Sequence, residues 1–129
     1  MQLFIASDYM TEARTLLQDL VGPPYRYTDD TLLMGLNGAM NEIARLRPDL
    51  FADMKYQTRM NPNAVITDNI PPTYTTANVG SVVPIPPQYK QAVVFYTAGL
   101  SQLLDTEDTT DVRATGFMTL FKAAMTSLQ

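Results

Sequence analysis

The chain has 129 residues and a net charge of −4, and 46% of it is hydrophobic against 17% charged. That length suits one domain burying about two thirds of its unfolded surface, and the acidic balance argues against a nucleic-acid ligand, which needs a basic face to release counterions. Cysteine, histidine and tryptophan are absent, which removes disulfides, thiol nucleophiles, Ser-His-Asp triads and nearly all zinc or haem sites.

No apolar run approaches the roughly 20 residues that span a bilayer, so no membrane association is expected. The opening Met1–Ala6 lacks the basic start and long apolar core of a signal peptide. The first helix is expected over about 8–20, capped by Ser7 or Asp8, with Tyr9, Ala13, Leu16, Leu17 and Leu20 on its apolar face. Gly22-Pro23-Pro24 is expected to end it.

The second helix, about 29–47, follows an N-cap at Thr28. Leu32, Leu33, Leu36, Ala39, Met40, Ile43 and Leu46 keep the spacing of one helical face, and Pro48 closes it. Asp29 and Asp30 suit the positive end of its dipole, Arg45 and Arg47 the negative end. The opposite face holds Asn37, Asn41, Glu42 and Arg45, and shows no evident chemistry. Gly35 and Gly38 are out of character in a helix interior, each costing about 1 kcal/mol relative to alanine. They are either tolerated, or places where a neighbouring helix or subunit comes close.

A short helical turn is expected at Asp49–Met54. From Lys55 the composition changes: six of the nine prolines fall between there and Pro87, with little charge. Ala64–Thr67, Thr73–Val79 and Ser81–Ile85 are β-prone runs, so the stretch about 55–86 reads as a hairpin or as an extended arm held open by its prolines. Its side chains are too apolar for a disordered linker. Tyr56, Val65, Ile66, Ile70, Tyr74, Val79, Val82 and Val83 must be covered, by the domain itself or by another subunit through an embracing arm.

Pro86 and Pro87 suit the first turn of a third helix, Gln88–Leu104. Tyr89, Val93, Tyr96, Leu100 and Leu103 form one stripe and Ala92, Phe95 and Gly99 widen it, which marks the most buried helix. A last helix over about 110–128, capped by Thr109 or Thr110, carries Ala114, Phe117, Met118, Phe121, Ala124, Met125 and Leu128 at helical spacing. The expected fold is mainly α, one domain over 1–129: a four-helix bundle with the proline-rich arm or hairpin inserted between its second and third helices.

Candidate chemistry is sparse. Asp105, Glu107, Asp108 and Asp111 could ligate calcium or magnesium, but the spacing is not that of an EF-hand and the acids also suit a helix N-terminus. Asp29 and Asp30 diverge by about 100° on a helix and cannot flank one bond. No phosphate loop or nucleophile elbow is present. Tyr25, Tyr27, Tyr56 and Tyr74 lack the basic groove that base stacking needs. Met40, Met118 and Met125 read as core filler. No catalytic residue, metal or cofactor is expected, and the chain reads as a non-enzyme.

Several stretches, in order, carry a resemblance. They are Ala13–Asp19, Tyr27–Leu33, Leu36–Ala39, Glu42–Phe51, Pro84–Val94 and Arg113–Phe117. Together the chain resembles the head-to-tail connector (adaptor) proteins of tailed bacteriophages. The resemblance implies a structural virion protein of the neck, assembled in the host cytoplasm. Such adaptors form a homo-oligomeric ring, usually of about twelve copies, that joins the portal protein to a tail or nozzle protein. DNA passes through the channel without sequence-specific binding, a role that an acidic chain suits. The alternative is a soluble helical module that grips a partner helix or a small apolar ligand.

Overall fold

The computed structural model describes residues 4–19, 27–60, 73–104 and 111–126. Within them the protein is mainly helical: α1 (Ala6–Leu17), α2 (Asp29–Leu46), α3 (Pro48–Met60), α4 (Lys90–Leu104) and α5 (Asp111–Thr126), with 3-10 turns at Thr76–Asn78 and Pro87–Tyr89. No strand occurs among the described residues. An isolated antiparallel bridge joins Ile5 to Val82.

α4 lies against α1, α2 and α5, as its broad apolar surface requires. Val93, Val94 and Ala98 are fully buried, as are Thr97 and Ser101. The last two are tolerated because their hydroxyls donate one turn back, to the Val93 and Thr97 carbonyls at 2.9 and 2.8 Å. Leu103, expected on the buried stripe, is instead exposed beside Leu104 at the helix end.

α2 crosses α4 at Gly35. A Cβ built there would lie 3.0 Å from both the Cα and the carbonyl oxygen of Thr97, so the absence of a side chain sets the separation of the two helices. Gly38 faces the Tyr96 ring in the same way, at 3.1 Å. On the other side of α4, Gly99 meets α5 at the Phe117 Cβ (3.1 Å) and the Ala114 carbonyl (3.2 Å). Phe95 stacks on Phe117 at 6.0 Å, and Tyr96 meets Phe121 edge-on at 4.8 Å. On α5, Phe121 and Met125 are buried, whereas Ala124 points to solvent.

α2 begins as its sequence dictates: the Thr28 hydroxyl accepts the Thr31 amide at 3.2 Å. α1 does not. Its N-cap is Ile5, which has no side-chain acceptor, and the amides of Ala6 and Ser7 donate to the carbonyls of Ser81 and Val79 at 3.0 and 2.9 Å. Asp8 reaches back to the Ile5 amide at 3.4 Å. At its other end α1 stops at Leu17, short of the expected Leu20. Gln18 turns left-handed (φ 58°), so that its amide and that of Asp19 cap the carbonyls of Thr15 and Arg14. Gly22, the expected terminator, and Leu20 lie outside the described residues.

The corner after α2 also departs from expectation. Pro48 starts a helix as well as ending one, because a proline at the first helical position loses no hydrogen bond. α3 therefore runs 13 residues where a short turn was expected. Leu50 is buried and Phe51 half-buried, while Ala52, Tyr56 and Met60 are exposed.

The segment 73–85 is folded back on its own domain instead of standing off as a hairpin. Tyr74, Val83 and Ile85 are buried to 1% or less and Val82 to 6%. Val83 donates to the Phe4 carbonyl at 2.8 Å. Burying each such aliphatic side chain is worth about 1.5–3 kcal/mol, against a β-propensity scale that spans about 1 kcal/mol. Burial wins, and the Thr73–Val79 run is bent by a turn in which the Asn78 carboxamide accepts the Thr75 amide at 2.6 Å. The run Ala64–Thr67 lies outside the described residues, as do the caps Thr109 and Thr110.

Two alanine substitutions should separate the effect of close approach from helix propensity. In urea denaturation, Gly35→Ala is expected to lower stability by about 1 kcal/mol or more, since the propensity gain of about 1 kcal/mol is opposed by backbone that cannot yield. Gly116→Ala on α5, where nothing described lies within 4 Å of the new Cβ, is expected to raise stability by about 0.5–1 kcal/mol.

Candidate functional site

Four groups of polar or exposed side chains lie where chemistry or recognition could act. The first is at the end of α1. Arg14 is buried, and its Nη1 donates to the Asp19 carboxylate at 2.8 Å and the Tyr27 carbonyl at 2.7 Å, while Nη2 donates to Asp29 at 2.6 Å. The same Asp19 oxygen accepts the Tyr27 amide at 2.9 Å. A buried guanidinium persists only when it is neutralised and hydrogen-bonded in this way. The group ties the end of α1 to the start of α2, and an open cleft of about 370 Å³ beside it is lined by Met10, Thr76 and Val79.

The second is around Lys90. Its Nζ sits 3.8 Å from the Phe4 ring centroid and 3.3 Å from the Glu12 carboxylate. Tyr9 below it is fully buried. Burial first, then the carboxylates of Glu12 and Asp8, push its phenol well above the ordinary tyrosine range. Tyr74, buried beside it, is shifted the same way by burial and then by Tyr9. Both phenols stay neutral at physiological pH, which moves them away from the range where a general acid or base works.

The third is a cleft of about 550 Å³ running along the outer face of α2. Asp30, Met34, Asn37 and Asn41 of α2 line it, with Leu100 of α4 and Tyr74–Thr76 closing one side. Asn37 is what holds that side. Its carboxamide donates to the Tyr74 carbonyl at 3.0 Å and accepts the Tyr74 amide at 2.8 Å, while the Tyr74 hydroxyl donates to the Val82 carbonyl at 2.7 Å. Met34 lies open at 57% exposure.

The fourth is the corner between α2 and α3. Arg47 clamps Asp49 through two bonds of 2.9 and 2.7 Å, donates to the Met125 carbonyl at 2.7 Å, and lies over the Tyr89 ring at 5.6 Å. It thus satisfies a free carbonyl at the C-terminal end of α5, where the helix dipole favours a cation. The corner is fixed, and α3 extends from it with Tyr56 and Met60 at 61% and 64% exposure.

Of the residues expected in an arm, Tyr56 is on the surface, Val79 is half-buried, and Tyr74, Val82 and Val83 are in the core. These last three are covered by their own domain, so the expectation of inter-subunit contact does not apply to them: the N-terminus of α1 and the face of α2 supply the cover. Val65, Ile66 and Ile70 lie outside the described residues. Gly35 and Gly38 both face α4 of the same chain. Asp105, Glu107 and Asp108 lie outside the described residues, as does the side chain of Asp111; among the described residues no cluster of acids could hold a metal ion. No described helix is long and apolar enough to cross a membrane.

Sequence reasoning gave no tying role to Asn37, Arg14 or Arg47, each of which has a partner remote in sequence: Tyr74, Asp29 and Met125. Met34 and Met60 did leave a signal. Met34 interrupts the polar face of α2, and Met60 repeats Tyr56 after one helical turn.

No protein-family model matches the chain, and no curated protein or solved structure shows significant similarity to it.

Two outcomes follow from this geometry. Asn37→Ala leaves the Tyr74 amide and carbonyl unpaired, and is expected to cost about 1–3 kcal/mol, with faster hydrogen exchange at the Tyr74 amide measured by NMR. The second concerns Asp49, whose bonds from Arg47 hold its carboxyl down at about 2. A depressed carboxyl contributes stability above its unfolded value and loses it as pH falls through the folded one. The stability it contributes should therefore fall between about pH 4 and pH 2, NMR titration should place the Asp49 midpoint near pH 2, and Arg47→Gln should return that midpoint to the ordinary carboxylate range.

Proposed function

We propose that this chain is a structural adaptor of a tailed-bacteriophage neck. It acts by assembly, as a ring between a portal protein and a tail or nozzle protein, with DNA passing through the ring. In this reading α1, α2, α4 and α5 form the four-helix bundle that serves as scaffold. Among the described residues, the outward part of the arm is then α3 with Tyr56, and Tyr74, Val82 and Val83 anchor the arm to the bundle.

The observation that carries the reading is α3. A helix pinned at its base by Arg47, with large apolar side chains in solvent at its far end, suits a chain completed by its neighbours. The sequence resemblance adds the identity of those neighbours. The groups with shifted phenol pKa values are shifted away from catalysis, which agrees with a non-enzymatic role. The copy number of about twelve and the site of action in the virion neck come from the resemblance alone.

A second reading is a soluble module that holds a partner helix or a small apolar ligand, and the cleft along α2 favours it. The two differ in mass. Light scattering and electron microscopy of the purified chain, alone and with portal particles from the same genome, are expected to show rings on the portal. A chain that stays monomeric or dimeric and unbound at all portal concentrations would overturn the adaptor reading. Substitutions suit this work better than deletion of residues 60–80, which would take Tyr74 out of the core.

A further inference from the structure

The start of α1 and the segment 79–83 are laid together by backbone bonds. The amides of Ala6 and Ser7 donate to the carbonyls of Ser81 and Val79 at 3.0 and 2.9 Å, and the Val83 amide donates to the Phe4 carbonyl at 2.8 Å. Ile5 and Val82 face each other between these bonds as a single antiparallel bridge. No strand occurs among the described residues to extend it, and a two-stranded pairing is marginal on its own. Its hold depends on what it covers. The Tyr74 hydroxyl donates to the Val82 carbonyl at 2.7 Å, and the Lys90 Nζ stands over the Phe4 ring at 3.8 Å.

Tyr9 shares those neighbours. The same Lys90 Nζ lies 5.8 Å from its ring centroid, and the Tyr74 phenol is near enough to feel that of Tyr9. Tyr9 is 0% exposed, yet its hydroxyl has no hydrogen-bond partner. Nearly all buried polar side-chain atoms have one. A buried hydroxyl without a bond has lost what water gave it in the unfolded chain, so the closed state carries a cost at this one place. Any opening that lets water reach Tyr9 removes that cost.

We propose that residues 4–7 and the segment 79–83 form a clasp that separates as one unit, letting water onto the Tyr9 hydroxyl, while α2, α4 and α5 stay folded. The rest of the domain does not depend on the clasp. α4 is held by α2 at Gly35 and by α5 at Gly99, and Asn37 keeps the Tyr74 backbone on α2 through two bonds of 3.0 and 2.8 Å. The three backbone bonds of the clasp, in contrast, run between the same two short segments, so the loss of one removes the support of the others. The device needs neither a second copy nor a portal, and stands apart from the adaptor reading.

Native-state hydrogen exchange, followed by NMR at rising urea concentrations, reads such an opening directly. The amides of Ala6, Ser7 and Val83 are expected to exchange through one opening of common free energy, faster than the α4 amides of Val94 and Ala98. Tyr9→Phe keeps the ring and removes the unpaired hydroxyl, and should slow exchange of those three amides about tenfold. A second variant locks the clasp. Ile5→Cys with Val82→Cys, in a chain that has no cysteine of its own, places two thiols on a facing pair of the close, non-hydrogen-bonded kind. Oxidised, it should slow the three amides toward the α4 rate, and reduction should release them. Three amides that exchange only at the α4 rate, or each through an opening of its own, would overturn the clasp. Faster exchange in Tyr9→Phe would mean that the hydroxyl is bonded in solution, and slowing confined to α4 that it stays dry when the clasp opens; either would overturn the proposal.

Discussion

The distance between α2 and α4 at Gly35 governs much of what surrounds it. Because Gly35 offers no side chain, Thr97 backbone comes into contact with α2, and the two helices are close enough for Leu36, Ala39 and Ile43 to share a core with Val93, Val94 and Ala98. That approach leaves a shallow channel on the outer side of α2, which Tyr74–Thr76 then partly cover. α5 is brought onto the opposite side of α4 by the equivalent opening at Gly99. With a glycine at each contact, α4 is gripped from two sides, and its polar residues Thr97 and Ser101 satisfy their hydroxyls within their own helix. An interior of this kind has little room for exchange of side-chain volume.

The helices of this protein were largely legible from periodicity. The apolar face of α2 from Leu32 to Ile43 is the buried face, and the breadth of apolar residues on α4 announced its central place. What was not legible depends on residues remote in sequence. Asn37 and Tyr74 are 37 positions apart, and Arg47 and Met125 are 78 apart; a polar residue on an exposed face says nothing of such a partner. The arm was misjudged at Tyr74, Val82 and Val83 for the same reason. Prolines and β-branched residues report a local preference for extended backbone, but only the tertiary structure supplies the carbonyl and amide of Phe4, Ala6 and Ser7 against which that backbone is laid. Pro48 misled in a different way, since it is equally at home ending one helix and beginning the next.

Exposed apolar side chains and structural ties are segregated among the described residues. Charged side chains with short hydrogen bonds, Arg14 and Arg47, sit at helix ends and fasten one element to another. The most exposed large apolar side chains among the described residues, Met34, Tyr56 and Met60, lie elsewhere, as do Leu103, Leu104 and Leu120. The proposed adaptor role would need a body that holds its shape while its surface residues change partners. The fixed corner at Arg47 does this for α3: whatever meets Tyr56 pushes against a base anchored on α5 and on Tyr89.

The start of α1 carries a consequence for how the chain comes into being. Its first amides are held by the carbonyls of Val79 and Ser81 and its leading residues by Val82 and Val83, all of them synthesised much later. A nascent chain that has emerged only as far as α3 has therefore made α1 but lacks what caps it, and the Phe4 carbonyl and the Ile5 bridge have nothing to pair with. The last turn of α5 is likewise needed before Arg47 has its Met125 acceptor. These contacts join residues more than 70 positions apart, and loop closure must precede their reward. The residues that open α1 are thus made before the segment that holds them.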